Sequence, residues 1–191
     1  MDDADRLARA VLATGFDIVD QAIEPAALEA LRAEARAQKR IAAHASRATS
    51  PVYSARIGKL GEYAKAFLCS PTLARLVADV VGAPVEVNIS MSCFTFYDEG
   101  DCLGPHLDQP ADECAVTVIV YLEVEAGPDS PRSTGLVLCV FGPEMRDDSR
   151  PIVTIPSAVG AMVIGRGSQV WHERPRLSRS ESVTALTACY R

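Results

Sequence analysis

The sequence lacks three features, each of which would assign it to a large group of proteins. It has no apolar run as long as a membrane span. Its acidic start, Met1-Asp2-Asp3-Ala4-Asp5, has neither the basic nor the apolar part of a secretory signal peptide. Its 19 lysines and arginines are outnumbered by 25 aspartates and glutamates, and the resulting net charge of −6 argues against a nucleic-acid-binding surface. We therefore expect a cytoplasmic protein that binds neither a membrane nor nucleic acid.

Cysteine is present but lacks the spacing of a metal site. None of the six cysteines belongs to a Cys-x-x-Cys pair, so we expect no zinc site built from them. Several lie within apolar, strand-like runs, and cysteines in a cytosolic chain are mostly small buried hydrophobic residues rather than disulfide partners. The six are Cys69, Cys93, Cys102, Cys114, Cys139 and Cys189.

Histidine is scarce, and two of the three histidines stand at the edges of strand-like segments. His106 and Asp108 are two residues apart, so on an extended strand both side chains point to the same side. His172 lies in a later segment and must come from another strand. Two histidines and one carboxylate can occupy one face of an octahedral ion, as in the facial triad of non-haem Fe(II) oxygenases. The alternative is a buried histidine bonded to its neighbour, because His-x-Asp pairs are common by chance.

The first part of the chain favours helices. Ser70-Pro71 is typical of a helix start, and Gly82 is typical of a helix end. His44 is interpreted as a solvated histidine near the end of a long helix, and residues 46–51 as a loop. The apolar periodicity predicts helices over 3–14, 24–43, 60–67 and 72–81, with one short strand over 15–19.

After Pro84 the periodicity of apolar residues changes from helical to alternating. The segment Val85 to Tyr97 is predicted as a strand whose polar face lines either a wet cavity or an exposed sheet surface. Two polar loops, 127–134 and 143–150, are candidates for a lid. Further strands are predicted over 116–123, 135–141, 152–155, 161–164 and 182–190.

Helices followed by at least six short strands predict an α+β fold, with a β-barrel or jelly roll braced by the N-terminal helices. A chain of 191 residues is expected to form one domain. Within it, residues 1–83 are the predicted helical support region and residues 84–191 the predicted jelly-roll core.

From about Val85 to Tyr190 the sequence resembles the Fe(II)/2-oxoglutarate-dependent dioxygenases, particularly their prolyl-hydroxylase-like branch. The order and spacing of several segments are more specific than the His-x-Asp pair alone. The resemblance implies a double-stranded β-helix, which is a jelly-roll barrel with iron near one mouth. The segments are Phe96-Tyr97-Asp98-Glu99-Gly100-Asp101, Pro105-His106-Leu107-Asp108, Val118-Ile119-Val120-Tyr121-Leu122, Gly135-Leu136-Val137-Leu138, Gly160-Ala161-Met162-Val163-Ile164 and His172-Glu173.

The resemblance also implies roles for individual residues. His106, Asp108 and His172 match the iron ligands of the family. Tyr97 and Tyr121 match positions that often contact 2-oxoglutarate, and a phenolic hydroxyl on an apolar ring suits that role. The alternative for both tyrosines is packing in the core.

One element of the family pattern is missing. The last strand usually carries Arg-x-Ser, whose guanidinium binds the distal carboxylate of 2-oxoglutarate. Ser182 and Thr184 stand at the aligned positions here, and the arginine is absent. Arg179 is the first candidate to replace it, because it lies between His172 and the last strand. The weaker candidates are Arg174, Arg176 and Arg191.

The implied protein is an enzyme that uses Fe(II), 2-oxoglutarate and O2 to hydroxylate an unactivated C–H bond. Its expected substrate is a small molecule or amino acid of a biosynthetic pathway. Asp108 favours hydroxylation, desaturation or ring closure over halogenation, because the related halogenases lack the carboxylate. The alternatives are a cupin-like metal-binding jelly roll without 2-oxoglutarate turnover, a cupin-like isomerase, and a prolyl-type hydroxylase of proteins.

Overall fold

The computed structural model describes residues 3–127, 135–146 and 148–191. Four helices and eleven strands lie within these ranges. The helices are α1 (Asp3–Thr14), α2 (Pro25–Lys39), α3 (Glu62–Leu68) and α4 (Pro71–Val81). The strands are β1 (Phe16–Val19), β2 (Ala43–Arg47), β3 (Tyr53–Gly58), β4 (Val87–Tyr97), β5 (Cys102–His106), β6 (Val116–Glu125), β7 (Val137–Gly142), β8 (Val153–Pro156), β9 (Met162–Gly165), β10 (Trp171–Arg174) and β11 (Ser182–Tyr190).

All eleven strands belong to one sheet, in which every pairing is antiparallel. The order is β1-β9-β6-β11-β4-β3-β5-β10-β7-β8, and β2 pairs with β3 outside this path. The sheet curls into a nearly closed barrel, so the predicted double-stranded β-helix within an α+β fold is confirmed.

The sheet separates two apolar cores. One core lies between the helices and the outer face of the sheet, and it includes Leu31, Val77 and Leu186. The other lies inside the barrel and includes Val140 and Val163. Because side chains alternate across a strand, β11 contributes to both cores.

The helix ends follow the sequence signals. The Ser70 side chain accepts a hydrogen bond from the Leu73 backbone N–H at the start of α4. Gly82 ends α4 in the left-handed conformation, at φ 73°, and its N–H bonds the Ala78 carbonyl. A residue without a Cβ adopts that conformation most readily, which explains why the helix stops there.

In the segment after α2 the structure differs from the predicted helix end and loop. The alanine-rich helix ends at Lys39 instead of continuing through Ala43, and β2 and β3 form a hairpin where a helix end and a loop were expected. Tertiary pairing outweighs helix propensity here, because β3 also pairs with β4 and β5. His44 therefore lies on a strand, with its Nε2 atom 3.1 Å from the Asp101 carboxylate.

The cysteine prediction also needs a correction. Cys114 and Cys189 form a disulfide, although 75 residues separate them in the chain. Their Cα atoms lie 4.7 Å apart because the fold brings the segment before β6 against the end of β11. Cys102 and Cys139 are free and buried, as expected of small hydrophobic residues.

The polar face of β4 does not line the cavity: Ser90 is exposed, whereas Asn88 and Ser92 are buried by contacts with the rest of the protein. Asn88 donates a hydrogen bond to the Glu113 carbonyl, and Ser92 donates one to the Asn88 carbonyl. Both side chains are buried, and the register between β4 and β11 shifts beside them. The shift changes which residues face the barrel, so Thr95 and Tyr97 from the far end of β4 line the cavity instead.

The lid prediction concerns loops 127–134 and 143–150, and residues 128–134 and 147 lie outside the described part of the chain. No described helix is both long enough and apolar enough to cross a membrane.

Candidate metal centre and adjoining cavities

Neighbouring strands bring the three predicted ligands together. His106 ends β5 and is paired directly with His172 on β10, and Asp108 follows two residues later. The Asp108 carboxylate lies 3.2 Å from His106 Nε2 and 3.7 Å from His172 Nε2. One ligand atom from each residue lies within 4.8 Å of the others, so the three side chains can bind a single ion.

Backbone carbonyls orient both imidazole rings. His106 Nδ1 lies 3.1 Å from the Gly104 carbonyl, and His172 Nδ1 lies 2.9 Å from the Val170 carbonyl. A carbonyl oxygen only accepts, so each Nδ1 carries a proton and each Nε2 is the ring atom that remains to bind an ion at the centre. The Phe16 ring packs against His172, with ring centroids 4.8 Å apart.

Two residues that the sequence did not single out hold Asp108 in place. The Thr117 hydroxyl donates a hydrogen bond to the Asp108 carboxylate, and the Asp108 backbone N–H donates to the Gly167 carbonyl at 2.9 Å. A Cβ atom at Gly167 would overlap both the carboxylate and the Thr117 hydroxyl. Glycine is therefore required where the β9–β10 connection passes the ligand.

The protonation states of the ligands suit a cation. Burial lowers the pKa of His172 to about 4, and the neighbouring charge of His106 lowers it further. Burial alone would raise the pKa of Asp108, but the hydrogen bond from His106, the charge interactions with both histidines and the hydrogen bond from Thr117 outweigh it and lower the pKa to about 2. At neutral pH the site thus offers a neutral imidazole at His172 and an ionised carboxylate at Asp108.

An inner cavity of about 120 Å³ extends from the triad into the barrel. A single water needs only about 10–15 Å³ of such space, so the cavity can hold a considerably larger ligand. Burial raises the pKa of the Tyr97 phenol, which keeps it a neutral hydrogen-bond donor on the cavity wall. The other lining residues are Tyr53, Thr95, Leu103, His106, Asp108, Thr117, Ile119, Leu138, His172, Arg174, Ala185 and Thr187.

Arg174 places a positive charge in this cavity. The residue is 5% exposed, and its Nη1 donates to the Gly135 carbonyl at 3.0 Å and the Ser157 hydroxyl at 3.1 Å. Its Nη2 donates to the Tyr121 hydroxyl at 3.0 Å, and its guanidinium lies 5.3 Å from the centroid of the Tyr97 ring. No carboxylate of the described residues forms an ion pair with it.

The other residues predicted to bind a cosubstrate lie elsewhere. Arg179 is exposed, and Ser182 donates its hydroxyl hydrogen bond to Glu125 outside the cavity. Thr184 is buried but does not line the cavity. Ala185 and Thr187 line it instead, so the prediction selected the alternate positions of β11.

Arg174 could have been found from its spacing. It follows His172 by two residues on the same strand, as Asp108 follows His106, and residues so spaced share a side. Arg179 was preferred to Arg174 in the prediction because it lies between His172 and the last strand, close to where the family has its arginine.

A larger outer cleft of about 730 Å³ adjoins the inner cavity at the triad. The two spaces share Tyr53, Leu103, His106 and Asp108 in their walls. The remaining lining residues of the cleft are Arg47, Ser50, Pro51, Pro105, Leu107, Gln109 and Trp171.

Comparisons with known proteins identify the fold. No family model matches the sequence, and a search of curated proteins finds no relative. Many solved structures match. The chain has the fold of the 2-oxoglutarate- and Fe(II)-dependent oxygenases.

Three solved structures illustrate this likeness. A prolyl-4-hydroxylase from Pseudomonas putida is 19% identical at a TM-score of 0.70, over 98% of each chain. The non-haem α-ketoglutarate-dependent epimerase SnoN of nogalamycin biosynthesis is 16% identical at a TM-score of 0.77, over 98% of this chain and 80% of that one. HygX from Streptomyces hygroscopicus was solved with nickel, 2-oxoglutarate and hygromycin B. It is 13% identical at a TM-score of 0.68, over 97% of this chain and 86% of that one.

Proposed function

We propose that the protein is an Fe(II)- and 2-oxoglutarate-dependent oxygenase that hydroxylates an unactivated C–H bond of a small molecule. The observation that carries this proposal is Arg174, a buried guanidinium without a carboxylate partner among the described residues. It lines the same cavity as a group of two histidines and one aspartate.

The triad fits Fe(II). Two imidazole nitrogens and one carboxylate are the ligand set of non-haem Fe(II) oxygenases, and they leave coordination positions open. Thr117 and the two backbone carbonyls orient the ligands, as the surroundings of metal ligands commonly do. In this proposal His106, Asp108 and His172 bind the iron.

Arg174 fits the far end of a dicarboxylate. Three of its five N–H groups are used by Gly135, Ser157 and Tyr121, which leaves the Nε–H and one Nη2–H available. Burying an unpaired charge is costly, so an anionic ligand at this position would stabilise the arginine as well as itself. We assign 2-oxoglutarate to the inner cavity, with its distal carboxylate at Arg174.

Iron and 2-oxoglutarate, when bound, supply the activation of O2 and the oxidising power for attack on a C–H bond. The chain's own residues position the reactants and limit access of water. Ile119 and Leu138 form apolar walls of the inner cavity, while His106 and Asp108 are reached from the outer cleft. The substrate would therefore approach the iron from the outer cleft.

The volume of the outer cleft favours a small-molecule substrate. Its roughly 730 Å³ falls within the usual range of about 300–1,000 Å³ for small-molecule sites. HygX, which shares the fold, was solved with hygromycin B. An amino acid in a biosynthetic pathway also fits, and a prolyl-type protein hydroxylase is the alternative that a peptide substrate would reveal.

The deciding experiment is an anaerobic titration of the protein with Fe(II), with and without 2-oxoglutarate, monitored by the visible charge-transfer band. We expect the band in the wild type and in Arg179→Gln. Arg174→Gln should bind 2-oxoglutarate at least about 30-fold more weakly, since losing one partner of a buried charge pair costs about 2–5 kcal/mol.

Iron binding by Arg174→Gln, measured by metal analysis, checks that the variant is folded. Equal 2-oxoglutarate affinity in the Arg174 and Arg179 variants would refute the assigned position of the carboxylate. Iron binding without any effect or consumption of 2-oxoglutarate would favour the cupin-like metal protein instead. Metal-dependent turnover of a substrate without 2-oxoglutarate would favour the isomerase.

A further inference from the structure

We propose that the outer cleft selects a small molecule with an anionic group, such as a carboxylate or phosphate, attached to an apolar or ring-shaped body. Arg47 binds the anionic group, and Trp171 packs against the body. The description of this ligand as the substrate rests on the proposed oxygenase function. The binding preference itself depends only on the residues of the cleft.

Arg47 is the only lysine or arginine among the described residues that line the outer cleft. Its Nε donates to the Pro51 carbonyl at 3.2 Å, which fixes one edge of the guanidinium and leaves the two Nη groups available. No carboxylate of the described residues is ion-paired with Arg47. Two parallel N–H groups suit the bidentate binding of a carboxylate or phosphate.

Asp108, the one carboxylate that the described residues contribute to the cleft wall, does not compete for this arginine. Asp108 is held at the triad by Thr117 and by the two histidines. The protein as a whole carries a net charge of −6, so the positive charge that attracts an anion to the cleft is the local charge of Arg47. An anionic ligand is therefore favoured at Arg47 over a cationic one.

The rest of the wall is largely apolar. Trp171 is half-buried and lies next to His172 in the chain, so a ring packed on the indole would be held close to the iron ligands. An aromatic side chain contributes a large apolar contact area and favours stacked rings. The other apolar members are Pro51, Tyr53, Leu103, Pro105 and Leu107.

The hairpin that carries Arg47 is fastened to the barrel. The Gly104 N–H donates to the Val52 carbonyl at 2.7 Å, and Tyr53 is paired with Leu103. Further along the hairpin, the Ser54 hydroxyl donates to Asp101. These contacts hold the Arg47 end of the hairpin beside the cleft, which gives the anion site a defined place relative to the triad.

The test uses the intrinsic fluorescence of Trp171, which is the only tryptophan of the chain and lies in the cleft. Metal-free, full-length protein is excited at the red edge of the indole band and titrated with 3-phenylpropanoate, 3-phenylpropanamide and 3-phenylpropylamine. These probes share one apolar body and differ in charge. We expect the acid to half-saturate the emission change at a concentration about tenfold below that of the amide, with the amine weakest.

Three variants assign the preference to Arg47. Arg47→Gln should remove the difference between the acid and the amide, and Arg47→Lys should restore part of it. Arg40→Gln is the matched control, because Arg40 is also exposed and also bonds a backbone carbonyl through Nε, but it lies outside the cleft. Its titrations should match those of the wild type.

Several outcomes would overturn the proposal. Equal binding of the acid and the amide by the wild type would show that the cleft does not prefer an anion. A preference that survives Arg47→Gln would place the anion elsewhere, for example at Arg174. No emission change with any probe would mean that Trp171 does not pack against the apolar body of the ligand. Because no iron or 2-oxoglutarate is used, these outcomes are independent of the charge-transfer titration that tests the oxygenase function.

Discussion

The two faces of the sheet around β11 contain different kinds of side chain. On the helix side, Leu186 and Ala188 pack into an apolar core, and the buried Tyr190 hydroxyl is satisfied by the Leu68 carbonyl at 2.9 Å. On the barrel side, Ala185 and Thr187 face the cavity that contains the triad and Arg174. One strand thus separates a packed core from a space with unused hydrogen-bond donors.

The difference indicates where stability and ligand binding originate. Side chains on the helix side are matched to one another, so removing one leaves a cavity in a dense interior. Arg174 and the triad on the barrel side have binding capacity that the protein itself does not use. Substitutions on the helix side should therefore mainly lower stability, and substitutions on the barrel side should mainly weaken ligand binding.

The largest expected effect is on Fe(II) binding, and it comes from substitutions on the barrel side of the sheet. His106→Ala, Asp108→Ala and His172→Ala should each weaken Fe(II) binding by more than about 100-fold, since even residues that only orient metal ligands contribute about 10–100-fold. The metal-free variants should unfold at temperatures close to that of the wild type. Metal analysis and thermal unfolding measure the two properties.

His44→Ala is the matched control for these ligand variants, because His44 is the remaining histidine and lies outside the cavity. It should retain wild-type iron content. Wild-type iron content in any two of the three ligand variants would instead refute the triad.

The helix side should respond in the opposite way. Leu186→Ala, at a fully buried position, should lower the free energy of unfolding by about 2–5 kcal/mol, from lost apolar burial and the cavity left behind. Thr187→Ala, the next residue but on the cavity side, should cost about 1 kcal/mol through loss of its contact with Thr95.

Denaturant unfolding of both metal-free variants, with iron binding measured alongside, makes this comparison. Equal destabilisation by the two substitutions would mean that the helix side does not contribute more to stability than the barrel side. Loss of iron binding in a folded Leu186→Ala protein would mean that the helix side also contributes to ligand binding.

The pH dependence of the metal-free protein should report the buried histidine. The pKa of His172 is lowered from 6.5 to about 4, so between these values the unfolded chain binds a proton that the folded chain does not. The contribution of His172 to the free energy of unfolding is therefore fully present above about pH 6.5. It is lost as the pH falls toward 4, and below that pH it changes little further. A pKa change of this size corresponds to about 3 kcal/mol.

His172→Gln isolates this contribution, because glutamine does not titrate. Unfolding free energies at pH 7 and pH 4 should differ by about 3 kcal/mol less in the variant than in the wild type. Identical pH dependence in the two proteins would contradict the burial of a neutral imidazole.

The smallest expected effect concerns Tyr121. Its hydroxyl accepts a hydrogen bond from Arg174, so it positions the arginine instead of lining the cavity. Tyr121→Phe should weaken 2-oxoglutarate binding by about three- to tenfold, in line with the roughly 0.5–1.5 kcal/mol of one intramolecular hydrogen bond, and should leave iron binding unchanged. An effect as large as that of Arg174→Gln would mean that Tyr121 contacts the carboxylate directly.

Local patterns predicted much of the architecture. The alternation of apolar residues located β11 at its observed bounds, and the Ser70 and Gly82 signals located α4 to within one residue. The i, i+2 spacing of His106 and Asp108 placed them on one side of the chain, where the structure has them. Each of these predictions depends on residues close in sequence, which is where propensity and periodicity are informative.

The features that the sequence did not predict depend on partners far away in the chain. The β2–β3 hairpin has weak strand signals and exists because β3 pairs with β4 and β5. The cysteines of the disulfide are 75 residues apart, and nothing local distinguishes them from the other four. The prediction preferred Arg179 because it lies just before the last strand, whereas the residue that lines the cavity is Arg174, which β10 positions.

The sequence by itself determined the class of fold and the two segments that supply the triad, because both follow from short-range spacing and strand periodicity. Only the tertiary structure decided which arginine lines the inner cavity, which cysteines pair, and that Arg47 and Trp171 line the same cleft. The physical reason is that burial and cross-strand register arise when the sheet closes, and no single segment contains that information.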